Sequence, residues 1–221
     1  MSLIICGSRK YNVAPLDRLV DSFDKVVRNN MLLDNDGYGT KEADVQIMNC
    51  HVYNHYITEA SYERWEQTYL AEHGMDPAHL ERFYQFILNA NNTEFIYFDN
   101  NNTSLLNEIL SKNNIDITFT KQLRCGLAGA SHFIDLGEKP FLIGFSITGE
   151  QDKSHVYNLL QPSVSTCHDP NLEHEIIKSL HEAGIVDASL CSLSDTFPFE
   201  FDGVLQPTEQ CVKLVERFNS Q

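Results

Sequence analysis

Cys125, His155 and Asp169 stand in the order of a nucleophile, a base and an orienting carboxylate. A cysteine attacks as the thiolate, so it needs a nearby cation or a helix N-terminus to favour the negative charge. Lys121 and Arg124 precede Cys125, and Leu127, Ala130, Ser131 and Ile134 follow it at helical spacing over small residues. The pattern predicts a helix that opens at or just after Cys125. His155 opens an apolar, β-prone segment ending at Leu160, from which a rigidly held imidazole can reach a thiol across a cleft. Asp169 follows fourteen residues on and is the candidate to orient that imidazole. The backbone N–H groups at Cys125 and Gly126 are candidates for an oxyanion hole.

These residues need a helix and two strands to carry them. Lys139–Thr148 reads as a strand, Gly149–Ser154 as a polar turn, and the segment from His155 as the second strand of the pair. In this order and rough spacing, residues 121–170 resemble the transglutaminase-like branch of the papain-like thiol enzymes. There a Cys heads a helix, a His begins a strand in a pattern like His-Ala-Trp, and an Asp-Pro lies further on. Here His155-Val156-Tyr157-Asn158 and Asp169-Pro170 occupy those places, with Tyr157 in place of the tryptophan. The resemblance implies a thioacyl intermediate and a cysteine-dependent hydrolase or acyltransferase acting on a peptide, amide or ester. The same residues also have plain structural readings. A free cysteine is ordinarily a small buried hydrophobe. Asp169-Pro170 has the form of a helix N-cap and first-turn proline ahead of Leu172, Ile176, Ile177 and Leu180, with Gly184 ending the helix.

The N-terminus carries a second reading. Leu3–Cys6 is a short apolar strand, Gly7-Ser8-Arg9 a turn, and Leu16, Leu19, Val20 and Phe23 a helical face. A strand that ends in Gly-Ser before a helix can present backbone N–H groups to a phosphate. The opening is similar to the first strand and loop of Rossmann-like nucleotide-binding proteins. That similarity implies a nucleotide or small-molecule binding α/β domain, with a parallel sheet, a central first strand and a cleft at its carboxyl end. A third reading is a non-catalytic acidic module for a basic protein partner.

Asp34–Val45 superficially has the form of a calcium loop, but Tyr38 and Val45 stand where ligands are needed, and it reads as a polar glycine-rich loop. Cys50, His51 and His55 have metal-ligating types without the paired spacing of a zinc site, so neither metal nor cofactor is expected. Residues 59–73 and a segment opening at Asp76-Pro77 read as helices with aromatic core faces. Glu94–Phe98, a helix carrying Leu105, Leu106, Ile109 and Leu110, and Ile115–Phe119 read as a strand–helix–strand unit. A last helix follows Pro207, with Val212, Val215 and Phe218 on one face.

The chain has 221 residues, 42% hydrophobic and 21% charged, which suits a globular protein with a real core. Its net charge of −15 argues against nucleic acid and anionic membrane surfaces as partners. No secretory signal or membrane-length apolar run is apparent, and the six cysteines lack any CxxC pair. Together these predict reduced thiols and a cytoplasmic location. The expected architecture is α+β, with a mixed α/β arrangement also open: one compact domain, a central sheet flanked by helices. Two lobes are an open subdivision, a mostly helical 1–120 with a βαβ-like unit and a β-rich 121–221 with C-terminal helices.

Overall fold

The computed structural model describes residues 2–7, 9, 16–49, 76–99, 101–145, 167–192 and 205–220. The strands are β1 (Leu3–Cys6), β2 (Lys25–Asn29), β3 (Val45–Asn49), β4 (Glu94–Phe98) and β5 (Phe141–Ile143). The helices are α1 (Asp17–Asp21), α2 (Pro77–Asn89), α3 (Ser104–Lys112), α4 (Cys125–Asp135), α5 (Pro170–Glu182) and α6 (Glu209–Asn219). The five strands form one sheet in the order β4-β3-β2-β1-β5, and every pairing is parallel.

A parallel sheet needs apolar cover on both faces, and the side chains supply it in alternation. Leu3, Ile5, Val27, Val45, Ile47 and Leu142 pack with α3, α4 and α5. Ile4, Cys6, Val26, Phe141 and Ile143 pack with α1 and α6 on the other face. The fold is therefore α/β, the mixed arrangement of the two left open, with its central sheet flanked by helices. The sheet takes strands from both 1–120 and 121–221. Among the described residues no helix is long and apolar enough to cross a membrane.

The helix boundaries follow their caps. Asp76 accepts a hydrogen bond from Ala78 N at 3.0 Å, with Pro77 in the first turn of α2. Asp169 does the same for α5, accepting from Leu172 N at 3.1 Å. The glycine-rich segment after β2 is a structural turn: Asp36 accepts from Leu33 N at 2.8 Å and pairs with Arg82 of α2 at 3.3 Å.

Two expectations change. Ile115–Phe119 forms no strand; Asn107 of α3 takes the place of a partner strand, its side chain bonding the Phe119 N–H at 2.8 Å and carbonyl at 2.9 Å. The helix after the Gly7 turn is only five residues, Asp17–Asp21. β2 and β3 lack the continuous apolar run of a buried strand, because Arg28, Asn29 and Gln46 are buried within them. The expected helix at 59–73 and the strand from His155 lie outside the described residues.

Behind β5 a polar network anchors the C-terminal helix. Asp187 is fully buried; it accepts from Ser189 N at 3.0 Å and from the Thr208 hydroxyl, and Thr208 also caps α6 by accepting from Cys211 N at 3.1 Å. Removing a donor from a buried carboxylate leaves a desolvated charge without its partner. Thr208→Val is expected to lower the unfolding free energy by about 1–3 kcal/mol in urea titrations; unchanged stability contradicts this anchoring.

Candidate functional site

The strand order fixes where a site can form. The chain runs outward from β1 to β4, then crosses back to place β5 on the far side of β1. Crevices in open parallel sheets form at such reversals, beyond the carboxyl ends of the strands. Here those ends are Cys6-Gly7, Asn29-Asn30 and Ile143-Gly144.

The central strand is β2 rather than β1; Gly7 and Gly144 bring the ends of β1 and the edge strand β5 into backbone contact. Gly7 N donates to Ile143 O at 2.7 Å, and Arg9 N to Gly144 O at 3.1 Å. A Cβ on Gly7 would meet Gly144 O at 2.3 Å; one on Gly144, at φ +76°, would meet Gly7 O at 2.5 Å and the Tyr38 hydroxyl at 2.7 Å. Only glycine permits this approach, and it packs the two buried turns backbone to backbone at the reversal point.

β2 ends in polar residues that the core cannot use fully. Asn29 donates to Cys6 O at 2.7 Å, which ties β2 to β1, while its Oδ1 is buried with no hydrogen-bond partner among the described residues. Asn30 adopts φ +52°, a left-handed conformation that asparagine tolerates. It is held by Asn30 N donating to Ile47 O at 2.6 Å and by Gln46 Nε2 donating to Asn30 O at 2.6 Å. Arg28 is 1% exposed on the opposite face; one nitrogen, Nη2, donates to Tyr38 O at 3.0 Å.

Helix α4 begins at Cys125, as its spacing predicts, and the buried thiol donates to Asn30 Oδ1 at 3.0 Å. The start of α4 is fixed from α5: the buried Glu173 carboxylate accepts from Arg124 N at 2.9 Å and pairs with the Arg124 guanidinium. Phe145 covers the same helix end, its ring filling the space a Cβ on Gly126 would need, at 2.2 Å.

The structure brings Asp169 to the same neighbourhood without committing it to catalysis. Gln122 N donates to Cys167 O at 3.1 Å, and His168 Nδ1 lies 2.8 Å from Gln122 O, so residues 167–168 lie against the segment leading into Cys125. The Asp169 carboxylate serves as the N-cap of α5. His155 lies outside the described residues, as do Cys50, His51 and His55. The residues that sequence reading missed are Arg28, Asn29, Asn30, Tyr38, Gly144 and Phe145. For the first three a signal existed: polar residues closing a β-prone run, Lys25–Asn30, too short to be amphipathic on both faces.

A scan against models of known protein families finds no match, and a search of curated proteins finds no similar protein.

Burial dominates the thiol chemistry near β1. It pushes Cys6 up from 9.0 to about 12, with the Arg28 cation opposing and the Asp21 carboxylate assisting. Cys211 rises to about 12 as well, through burial and then the Asp187 charge. The unfolded chain therefore releases these protons first. Stability is intact below pH 9 and is lost as pH rises from there toward 12, by about 1.4 kcal/mol per pH unit for each thiol. Urea titrations between pH 8 and 11 are expected to show this decline, and a Cys6→Ala/Cys211→Ala variant a shallower one; equal slopes contradict it.

Proposed function

We propose that the chain binds a nucleotide-class small molecule across the carboxyl ends of β1, β2 and β5. The observation that carries this reading is the internal position of β1 at the reversal between β2 and β5. The unpartnered Oδ1 of Asn29 adds an acceptor for a ligand hydroxyl or amine.

A second reading, a cysteine-dependent hydrolase or acyltransferase, is supported by the position of Cys125 at the first turn of α4. The bond from its thiol to Asn30, its 3% exposure and the capping duty of Asp169 weigh against that reading relative to the first. Alkylation separates the two. In native protein, iodoacetamide is expected to modify the exposed Cys167 well before Cys125. Rapid modification of Cys125 with an apparent pKa below the free-thiol value, lost in His155→Ala, favours the thiol enzyme instead.

The binding reading is tested by thermal unfolding against nucleosides, nucleoside mono-, di- and triphosphates, and dinucleotides. A ligand present at a hundred times its Kd stabilises the folded state by about 2.7 kcal/mol. At least one nucleotide is expected to raise the midpoint by several degrees. If none does at millimolar concentration, the reading fails.

A further inference from the structure

Arg28 is the least satisfied side chain among the described residues. It is 1% exposed, yet Nε and Nη1 are both buried with no hydrogen-bond partner among the described residues. Buried guanidinium groups are ordinarily paired, because an uncompensated buried charge is costly. The Asp21 carboxylate stands beside it at Gly39 and offsets part of the charge, but bonds neither Nε nor Nη1. Asp21 is engaged by the next turn, accepting from Thr40 N at 2.9 Å and from the Thr40 hydroxyl at 2.6 Å.

The position of Arg28 follows from the register. It pairs with Cys6 at the carboxyl end of β1 and with Gln46 of β3, one residue before Asn29. Tyr38 links it to the reversal point, since the Tyr38 carbonyl accepts from Arg28 and its hydroxyl donates to the Arg9 carbonyl, beside Gly144. A cation with two unpartnered nitrogens is therefore connected through Tyr38 to the reversal point.

We propose that Arg28 is the anion-binding residue of this site and takes a phosphate group of the ligand. This rests on the nucleotide reading and names the group that recognises the charged part of the ligand. The donor geometry suits it. A guanidinium offers two forks, Nε with Nη2 and Nη1 with Nη2, each matched to two oxygens of one phosphate. Tyr38 takes one proton of Nη2, so one complete fork remains whichever proton that is. In a chain of net charge −15, a fixed buried cation also gives an anionic ligand a local reason to bind. Gly39 and Tyr38 close the Nη2 side, so the anion meets the guanidinium away from bulk water, where charge pairing is strong.

The test compares a nucleoside, its mono- and diphosphate, and inorganic pyrophosphate, by calorimetry on the full chain and on Arg28→Met and Arg28→Lys. Wild type is expected to favour nucleotide over nucleoside by at least about tenfold, one good charge-assisted contact. In Arg28→Met that ratio falls toward one with nucleoside affinity kept; in Arg28→Lys part of it survives. An unchanged ratio in Arg28→Met overturns the proposal and leaves the nucleotide reading standing. If neither nucleoside nor nucleotide binds wild type, the nucleotide reading fails, and pyrophosphate alone decides: binding lost in Arg28→Met supports the anion site, and no binding overturns it. Should Arg28→Met fail to fold, the Arg28 Nε–H resonance of wild type decides. It shifts on titration with the tightest-binding phosphate compound if the proposal holds, and stays fixed if it does not.

Discussion

The backbone contact between Gly7 and Gly144 is the constraint on which the remaining architecture depends. β5 joins the sheet beside β1, whose other side is already paired with β2. The pairing continues past both strands through Gly7 N to Ile143 O and Arg9 N to Gly144 O. Any side chain at either glycine would strike a carbonyl of the other, so the seam is closed by backbone alone. The closed seam holds β1 inside the sheet, and an internal β1 places the reversal of strand order beside it. Helices then cover both faces, and the strand tips are left as the place where polar groups collect.

Those tips violate the rules that govern the rest of the core. β1 and β5 are apolar and buried throughout, yet Arg28, Asn29 and Gln46 all leave buried polar atoms without partners among the described residues. Proteins tolerate such costs at sites where a ligand or ion completes the bonding. The three residues lie on neighbouring strands at the same end of the sheet, on both of its faces. Around them the surroundings are well fixed: Glu173 holds the start of α4, Cys125 reaches Asn30, and Asn30 is pinned to β3. A rigid frame around unsaturated groups is what a preorganised binding site requires.

Local signals in the sequence gave sound expectations wherever the structure is governed by local chemistry. Asp76-Pro77 and Asp169-Pro170 are caps because an Asx side chain and a proline act on their own turn. Leu3–Cys6 is a strand because four consecutive apolar residues have nowhere to go but a two-sided core. β2 and β3 escaped notice because their polar ends broke the run, and those same residues make the candidate site. Ile115–Phe119 has strand alternation, yet the Asn107 side chain satisfies Phe119 in place of a ladder. The order Cys125, His155, Asp169 could be read along the chain, but the partner the thiol takes, Asn30, lies 95 residues away. Nothing in the spacing announces that contact, since it arises from the placement of α4 over β2.

The measurement that tests the central claim most directly is amide chemical-shift mapping during titration with the nucleotide that binds best. The account predicts that the largest shifts fall on residues 5–7, 29–30, 125–126 and 143–145, the strand tips and the first turn of α4. Shifts confined to the amino ends of the strands, or to α2 and the outer face of β4, would contradict it.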